Sequence, residues 1–543
     1  LGLLGPKNTI KAQEPPLPAK EQKTYKIGTR GSLLAITQCQ QVRDQLEELT
    51  GDKFKLEIIR TQGDEQTSKP LWQLEGKDFF TKELDEALIK GDIDLVVHSY
   101  KDLGSVRPEE ICLATITERF VGHDILLMRP GALKEIKQKG KALIGTSSPR
   151  RVTNIERELS RFLPRDPGSK APTVETKMLR GNVNTRIQKC RDGNFHGIVL
   201  AFAGLERLAR DSHAREELKF LVHDLQYLVL PPSVFPWAAS QGSLGIECLK
   251  DRDDNGELFN KLAQLNHEET IEVIKHERKA FNAYGGTCHL AVGVAVQKLP
   301  ELGLVASHQG VNNSQEIHHH AFIRNSPLPK LELDESEKLF IGVRSEKKDL
   351  IKIYDQLLDK TSVVPSLEES AKARAFYATH PKTLEAVKAY HKEGDTLWVA
   401  GSRTHALAAE KGLWVNGSSD ALGDHQLKSF RESKLLELMN TDWNDTVVLS
   451  HEDAETDFGE LHIGYQRKEL SPGADFTHDI ENCRIFYWTS QAQYEIYQRS
   501  YKLRADAVHF CGAGKTALKL KGLGVKVHVV AGMREFLDHV QLS

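Results

Sequence analysis

The stretch Ile93-Asp94-Leu95-Val96-Val97-His98-Ser99-Tyr100-Lys101-Asp102 decides how the chain is read. Its apolar run has the length of a buried strand and is too short for a helix. The run stops abruptly in a polar cluster. In open α/β sheets, ligands bind just beyond the carboxyl ends of the strands. Asp102, with Lys101 beside it, therefore stands where a reacting carboxylate would be placed. A strand running into a solvated turn would look the same, so the decision passes to the other strand ends.

Those ends repeat the pattern. Residues 25–30 read as a strand entering a Gly/Ser turn, with Ser32 ahead of a helix that carries Leu34, Ile36, Val42 and Leu46. Residues 54–59 alternate as a second strand, residues 81–90 form an amphipathic helix, and the opening stretch follows. This strand–helix–strand order predicts a parallel sheet. A second set starts at residues 141–145, where Thr146-Ser147-Ser148-Pro149-Arg150-Arg151 supplies helix-start chemistry. It runs on through Arg180 and Arg186 to a strand at 197–201 that ends near Arg207. Arg30, Arg150, Arg151, Arg180, Arg186 and Arg207 thus all lie at or just after strand ends. Guanidinium forks and helix N-termini together make anion sites, so the expected ligand is small and polyanionic. Phosphate is the weaker choice. Gly514-Lys515-Thr516 would close a phosphate loop, but His509 occupies the place of its first glycine. Several carboxylates fit better, and Asp102 then reads as the lone acid of an anion-binding cleft.

The bulk properties set bounds. The 543 residues predict two to four domains. A net charge of -3 argues against bulk nucleic-acid binding, and no apolar run is long enough to cross a membrane. Seven cysteines without a CxxC pair suit a reducing, cytoplasmic setting and no structural zinc. Consecutive strand residues point to opposite faces, so His318-His319-His320 is not expected to hold a metal. Cys288 follows Gly285-Gly286-Thr287 and precedes His289. It is either a small buried hydrophobe or an accessible thiol that serves as attachment point or catalyst. Residues 1–23 read as a disordered leader without signal-peptide character, and Pro327 to Pro329 as a linker. From Lys338 a new α/β pattern starts, with strands near 339–342, 396–400, 447–449, 484–488, 507–510 and 525–529.

Long ordered motifs carry a resemblance. They are Ile27-Gly-Thr-Arg-Gly-Ser-Leu-Leu-Ala35, Thr61-Gln-Gly-Asp64, Gly76-Lys-Asp-Phe-Phe-Thr-Lys-Glu-Leu84 and Val97-His-Ser-Tyr-Lys-Asp102. Gly145-Thr-Ser-Ser-Pro-Arg-Arg151, Leu179-Arg-Gly-Asn-Val-Asn-Thr-Arg186, Leu200-Ala-Phe-Ala-Gly-Leu-Glu-Arg207 and Gly285-Gly-Thr-Cys-His289 follow. Residues 24–325 resemble hydroxymethylbilane synthase, also called porphobilinogen deaminase. The resemblance implies an enzyme that joins four porphobilinogen units head to tail, losing ammonia each time, on a dipyrromethane cofactor held by a thioether. It implies Cys288 as the tether and Asp102 as the catalytic carboxylate that stabilises positive charge as ammonia leaves. Arg150, Arg151, Arg180, Arg186, Ser148, Thr146 and Lys101 match cofactor-holding positions. Arg30, Ser32, Arg207, Phe80 and Lys77 match substrate-binding ones. Where the family usually has Pro-Ala-x-Gly-Gln-Gly, this chain has Trp237-Ala-Ala-Ser240-Gln241-Gly242.

The implied fold is α/β. Two doubly wound domains like those of periplasmic binding proteins are expected at 24–117 with 243–262, and at 118–242. A small α+β domain at 263–330 carries Cys288, and 331–337 is a linker. Residues 338–543 resemble uroporphyrinogen-III synthase through Gly401-Ser-Arg-Thr404, Trp488-Thr-Ser490 and Gly512-Ala-Gly-Lys-Thr516-Ala517. That resemblance implies a two-lobed α/β region with Thr516 and Ser490 in its cleft, closing hydroxymethylbilane to uroporphyrinogen III before it closes spontaneously to the wrong isomer. A degenerate, structural C-terminal half and a non-enzymatic solute-binding protein are the alternatives. The expected chain is a cytoplasmic monomer whose partner is the small molecule porphobilinogen, with no nucleic acid, membrane or metal.

Overall fold

The computed structural model describes residues 22–61, 81–286, 290–331, 337–345, 349, 351–368 and 374–540. The first sheet is built from β1 (Thr24–Thr29), β2 (Lys53–Ile58), β3 (Leu95–Ser99), β4 (Ile111–Ile116) and β10 (Leu244–Leu249), in the order β2-β1-β3-β10-β4. β3 is the apolar run of the opening stretch, buried along Leu95 to His98. A short 3-10 turn, Tyr100–Asp102, ends it, so the polar cluster sits beyond the carboxyl end of the strand.

The second sheet holds β5 (Asp124–Met128), β6 (Lys141–Gly145), β7 (Thr173–Lys177), β8 (Gly197–Ala201) and β9 (Gln226–Val229), in the order β7-β6-β8-β5-β9. Neither sheet is wholly parallel, which corrects the sequence expectation. β10 runs antiparallel to both β3 and β4, and β5 antiparallel to both β8 and β9. The reason is connectivity. β5 and β10 are the strands that the chain forms just after crossing from one sheet to the other. They do not close a local strand–helix–strand unit, so the rule that makes such units parallel does not bind them.

A three-stranded antiparallel sheet follows: β11 (Ala291–Leu299), β12 (Gly303–Asn312) and β13 (Gln315–Ile323). The helix Glu268–Ala283 lies on one face, through Val273, Ile274, Val296, Leu304 and Ala306. Within that helix, fully buried Glu277 ties three segments together. Its carboxylate accepts two bonds from Arg119 (2.7 and 2.8 Å), one from the Trp237 indole (2.8 Å), and backbone N–H bonds from Ser240 (2.7 Å) and Val296 (3.0 Å).

The C-terminal half contains two further five-stranded sheets. One comprises β14 (Leu339–Phe340), β15 (Lys352–Ile353), β23 (Ile485–Trp488), β24 (Val508–Gly512) and β25 (Val527–Val530). The other comprises β17 (Ala375–Ala378), β18 (Thr396–Val399), β19 (Gly417–Ser418), β20 (Thr446–Ser450) and β21 (Glu460–Ile463). A two-stranded antiparallel ribbon of β16 (Leu358–Ser362) and β22 (Tyr465–Glu469) connects them.

This half does not hang on a loose tether. Leu200, Phe202 and Tyr227 share one apolar core with Trp398, Phe430, Leu435 and Phe458. Leu299 and Val305 enter the core of the other C-terminal sheet, beside Phe340 and Trp488. Buried Glu206 accepts bonds from the Ser433 hydroxyl (2.7 Å) and from the Lys434 and Leu435 N–H groups (3.0 Å each). It thereby supplies acceptors to the N-terminus of the helix Lys434–Leu438.

Ser240 takes φ 66°, the left-handed region that glycine tolerates and serine does not. Its hydroxyl is buried without a partner. Ser240→Gly is expected to raise stability by about 1 kcal/mol, because relief of backbone strain outweighs the extra unfolded-state entropy of glycine. A thermal or urea unfolding curve unchanged or shifted downward would contradict this.

Candidate functional site

Asp124 and two arginines form the floor of the site. Asp124 is buried where β5 begins. Arg151 donates to its Oδ2 from Nε (3.1 Å) and to its Oδ1 from Nη2 (2.7 Å), and Arg150 Nη1 lies 2.8 Å from the same Oδ2. Burial alone would raise the Asp124 carboxyl, but Arg150 and Arg151 outweigh it and hold the group well below the usual carboxylate range. Both arginines lie in the helix Pro149–Glu158, whose N-cap is Ser148 and whose first residue is Pro149. Thr146 Oγ1 accepts the Ser148 N–H at 3.4 Å. The guanidiniums also donate to backbone: Arg150 to Pro236 O (2.8 Å) and Arg151 to Val199 O (3.2 Å).

Gln241 carries the network across to the opening stretch. Its amide nitrogen donates to Asp124 (2.8 Å) and to Gly122 O (2.8 Å), while its oxygen accepts from Lys101 Nζ at 3.2 Å. Lys101 is pushed down to about 8, first by burial and then by Arg151 and Arg150, against the pull of Asp102 and Asp124. Asp102 itself is exposed at the turn. Arg186 is pulled down to about 10 by burial and by neighbouring Arg151 and Arg180, with Asp102 opposing. Five cations, Lys101, Arg150, Arg151, Arg180 and Arg186, thus face two carboxylates. Asp102 is not the lone acid expected from sequence. Asp124 is a second, but its oxygens are committed to Arg150, Arg151 and Gln241, which leaves Asp102 as the accessible one.

Other expected residues fall as follows. Arg207 is buried, stacks on Phe120 with its guanidinium carbon 4.8 Å from the ring centre, and donates to Gly242 O at 2.7 Å. Its Nε is buried without a partner. Ser32 caps the helix Leu33–Thr50 by accepting from Ala35 N–H at 3.3 Å. Arg30 stands at the end of β1. Cys288, Phe80 and Lys77 lie outside the described residues. Asp124 and Glu277 were missed from sequence, and no spacing rule marks a carboxylate that acts by being buried between arginines. Gln241 lay inside a motif but carried no stated role. Among the described residues, one trio, Asp85, His98 and Glu247, has its ligand atoms close enough for a metal ion. Arg107 already fills that place, with Nη2 2.6 Å from Asp85 and 2.7 Å from Glu247.

Thr516 and Ser490 do meet, on the wall of a cavity of about 820 Å³ between the two C-terminal sheets. Thr516 Oγ1 donates to Thr489 O at 3.3 Å, and Ser490 caps the helix Gln491–Ser500. Tyr377 and Ser419 line the opposite side.

The family model described as porphobilinogen deaminase, dipyromethane cofactor binding domain, matches residues 25–257. Porphobilinogen deaminase of Gloeobacter violaceus is 34% identical over 300 residues, 53% of this chain and 83% of that protein. The Shouchella clausii protein of the same name is 38% identical over 290 residues, 52% of this chain and 85% of its own. The chain belongs to the porphobilinogen deaminase family. Both alignments leave almost half of the chain unmatched. A Helicobacter pylori uroporphyrinogen-III synthetase structure covers 37% of the chain and 97% of its own, at 8% identity and a TM-score of 0.28. The methionine-binding protein MetQ covers 48% and 95%, at 14% identity and a TM-score of 0.26. Likenesses at these scores carry no argument, so the C-terminal half is read from its own residues. No helix among the described residues is long and apolar enough to cross a membrane.

The Lys101 ammonium predicts a pH effect. In the free enzyme it is charged below about 8 and neutral above. If it holds ligand carboxylates, kcat/KM for porphobilinogen falls as pH rises through that value. Lys101→Arg keeps its charge throughout, so the alkaline limb should disappear. Stability moves oppositely: the unfolded lysine binds its proton up to 10.5, so folding gains with pH between about 8 and 10.5. A limb that persists unchanged in Lys101→Arg would remove Lys101 from the binding set.

Proposed function

We propose that the N-terminal half joins four porphobilinogen units, with loss of ammonia, into hydroxymethylbilane on a dipyrromethane cofactor tethered through Cys288. The observation that carries this is the gathering of five cations around one accessible carboxylate, Asp102. A pyrrole chain bearing acetate and propionate groups suits that excess of positive charge, and the buried, unpartnered Arg207 Nε is a further donor. The donor set therefore fits the cofactor. When bound, the dipyrromethane supplies the pyrrole carbon onto which the chain is built. The protein's own residues do the rest. Lys101, Arg150, Arg151, Arg180 and Arg186 bind and orient carboxylates. Asp102 faces the cation left when the substrate's aminomethyl group loses ammonia, and a fixed anion there lowers the barrier. Arg30, Ser32, Phe80 and Lys77 are assigned to substrate, and Thr146 and Ser148 to the cofactor, on the family's motif.

Asp102→Ala should lower turnover at least about 100-fold, as loss of one positioned transition-state charge does elsewhere, with the unfolding midpoint unchanged because Asp102 is exposed. Intact mass should show a covalent two-pyrrole adduct that is absent from Cys288→Ser. Near-normal turnover of the first variant, or an adduct surviving in the second, would refute the assigned roles.

The C-terminal half is proposed to close hydroxymethylbilane to uroporphyrinogen III in the cleft that Thr516 and Ser490 line. A purely structural role has one observation in its favour, the apolar core shared with the N-terminal half. That core also rules out truncation as a clean test, since removing residues 338–543 would bare Phe202 and Tyr227. The intact chain decides it. Fed porphobilinogen, it should yield mainly the type III isomer after oxidation, whereas type I alone would leave only the structural role.

A further inference from the structure

Two thiols outside the anion cleft meet across the first sheet. In the β4–β10 ladder, Cys112 stands directly opposite Cys248, and their sulfurs lie 3.8 Å apart. Directly opposed residues of an antiparallel pair have Cα atoms about 4.5 or 5.5 Å apart. Both spacings fall within the roughly 4.4–6.8 Å that a disulfide spans. Side-chain rotation can therefore bring the sulfurs to bonding distance while the strands stay paired. The ladder shifts register between Ile246 and Glu247, so a bulge separates the thiol pair from the site end of β10. That irregular step can take up a small displacement at Cys248 before it reaches Leu244, which pairs with Ser99 just ahead of the Asp102 turn.

The two thiols are not equivalent. Of the six described cysteines, five are buried and Cys112 alone is partly exposed. Burial, then the neighbouring Cys112, push the Cys248 thiol up to about 12, which keeps it protonated near neutral pH. The thiolate is the attacking species in disulfide exchange, and access limits its rate. Cys112 is thus the entry point and Cys248 the partner that resolves. The two strands also hold a particular place in the chain. β4 is the last strand before the chain crosses into the second sheet, and β10 is the first after its return. A bond between residues 136 apart would close that whole excursion into one loop.

We propose that Cys112 and Cys248 are a reversible oxidation site, which a small disulfide such as oxidised glutathione converts to a cross-strand disulfide that staples the two strands flanking the second sheet. In the first step the Cys112 thiolate attacks one sulfur of the oxidant. The S–S bond of the oxidant breaks, and one glutathione leaves with the proton that Cys112 released. In the second step the Cys248 sulfur attacks Cys112 Sγ. The mixed disulfide breaks, and the second glutathione leaves with the Cys248 proton. Two protein thiols are oxidised, and one disulfide is reduced to two thiols. The new bond joins strands that are already paired, so it stabilises the fold and leaves the anion cleft as it was.

The test uses full-length protein with its cofactor, incubated with oxidised glutathione and then freed of it, in wild-type, Cys112→Ser and Cys248→Ala forms. Peptide mapping without reductant should find Cys112 joined to Cys248 in the wild type. Cys248→Ala should stop at a mixed disulfide on Cys112, and Cys112→Ser should take up no glutathione at Cys248. Closure of a long loop restricts the unfolded chain most, so the unfolding temperature of the oxidised wild type should rise by roughly 5 °C. Dithiothreitol should reverse that rise, and neither variant should show it. Porphobilinogen consumption by the oxidised wild type should match that of the reduced enzyme. Recovery of both cysteines as free thiols, or a bond that leaves the unfolding temperature unchanged or lowered, would overturn the staple. A loss of turnover on oxidation that Cys112→Ser escapes would also overturn it, since the pair would then act on the cleft.

Discussion

The buried carboxylate of Asp124 is the constraint on which the N-terminal site depends. Two adjacent arginines at the start of one helix would repel each other and resist burial. With Asp124 between them they become fixed guanidiniums, aligned by a helix end and two backbone carbonyls. Removing one partner of such a buried set typically costs about 3–5 kcal/mol, because the remaining charges stay buried and unpaired. The same carboxylate orients Gln241, which orients Lys101, which adjoins Asp102. The accessible acid of the site thus adjoins a network anchored, through Gln241 and Lys101, on one that is not accessible. Asp124 neutralises enough charge to let the arginines be buried, and too little to cancel the attraction for a polyanion.

The two antiparallel strands follow from the same geometry. The site lies where the chain crosses between sheets, since Asp124 begins β5 and Gln241 shortly precedes β10. The strained Ser240 and the left-handed Gly242 sit in the return crossing. A side chain at Gly242 would come within 2.5 Å of Phe120 O. Backbone strain concentrated beside a binding site is a common consequence of having to bring distant segments into one network. Here Glu277 restrains it by accepting the Ser240 N–H.

Much of this was legible in the sequence, and the illegible part has a physical cause. β3 and its polar end could be read because burial on both faces leaves a continuous apolar run. The arginine positions could be read because strand ends and helix starts have local signatures. Asp124 could not: its role depends on partners 26 and 27 residues away, and nothing local distinguishes it from a surface aspartate. The parallel-sheet expectation failed at β5 and β10 for the same reason, since direction there is set by a crossing between sheets. Glu206 is a sharper case. It stands inside the motif that ends in Arg207, yet its oxygens serve the helix Lys434–Leu438, more than 220 residues downstream. A motif read for one site can hold a residue that answers to another part of the chain.

That contact bears on why the two halves form one molecule. The sheet containing β17 docks through the core shared with Phe202 and Tyr227, and the sheet containing β14 docks through Leu299, Val305 and the Arg324–Glu535 pair. The first contact belongs to the sheet that carries Arg150 and Arg151. The second belongs to the small antiparallel sheet whose first strand begins just after Cys288. The walls of the C-terminal cleft are therefore fastened to different parts of the N-terminal half, and they are joined to each other by the ribbon of β16 and β22, by Lys515–Asp424 (2.8 Å) and by Leu422, which packs into the core of the sheet containing β14.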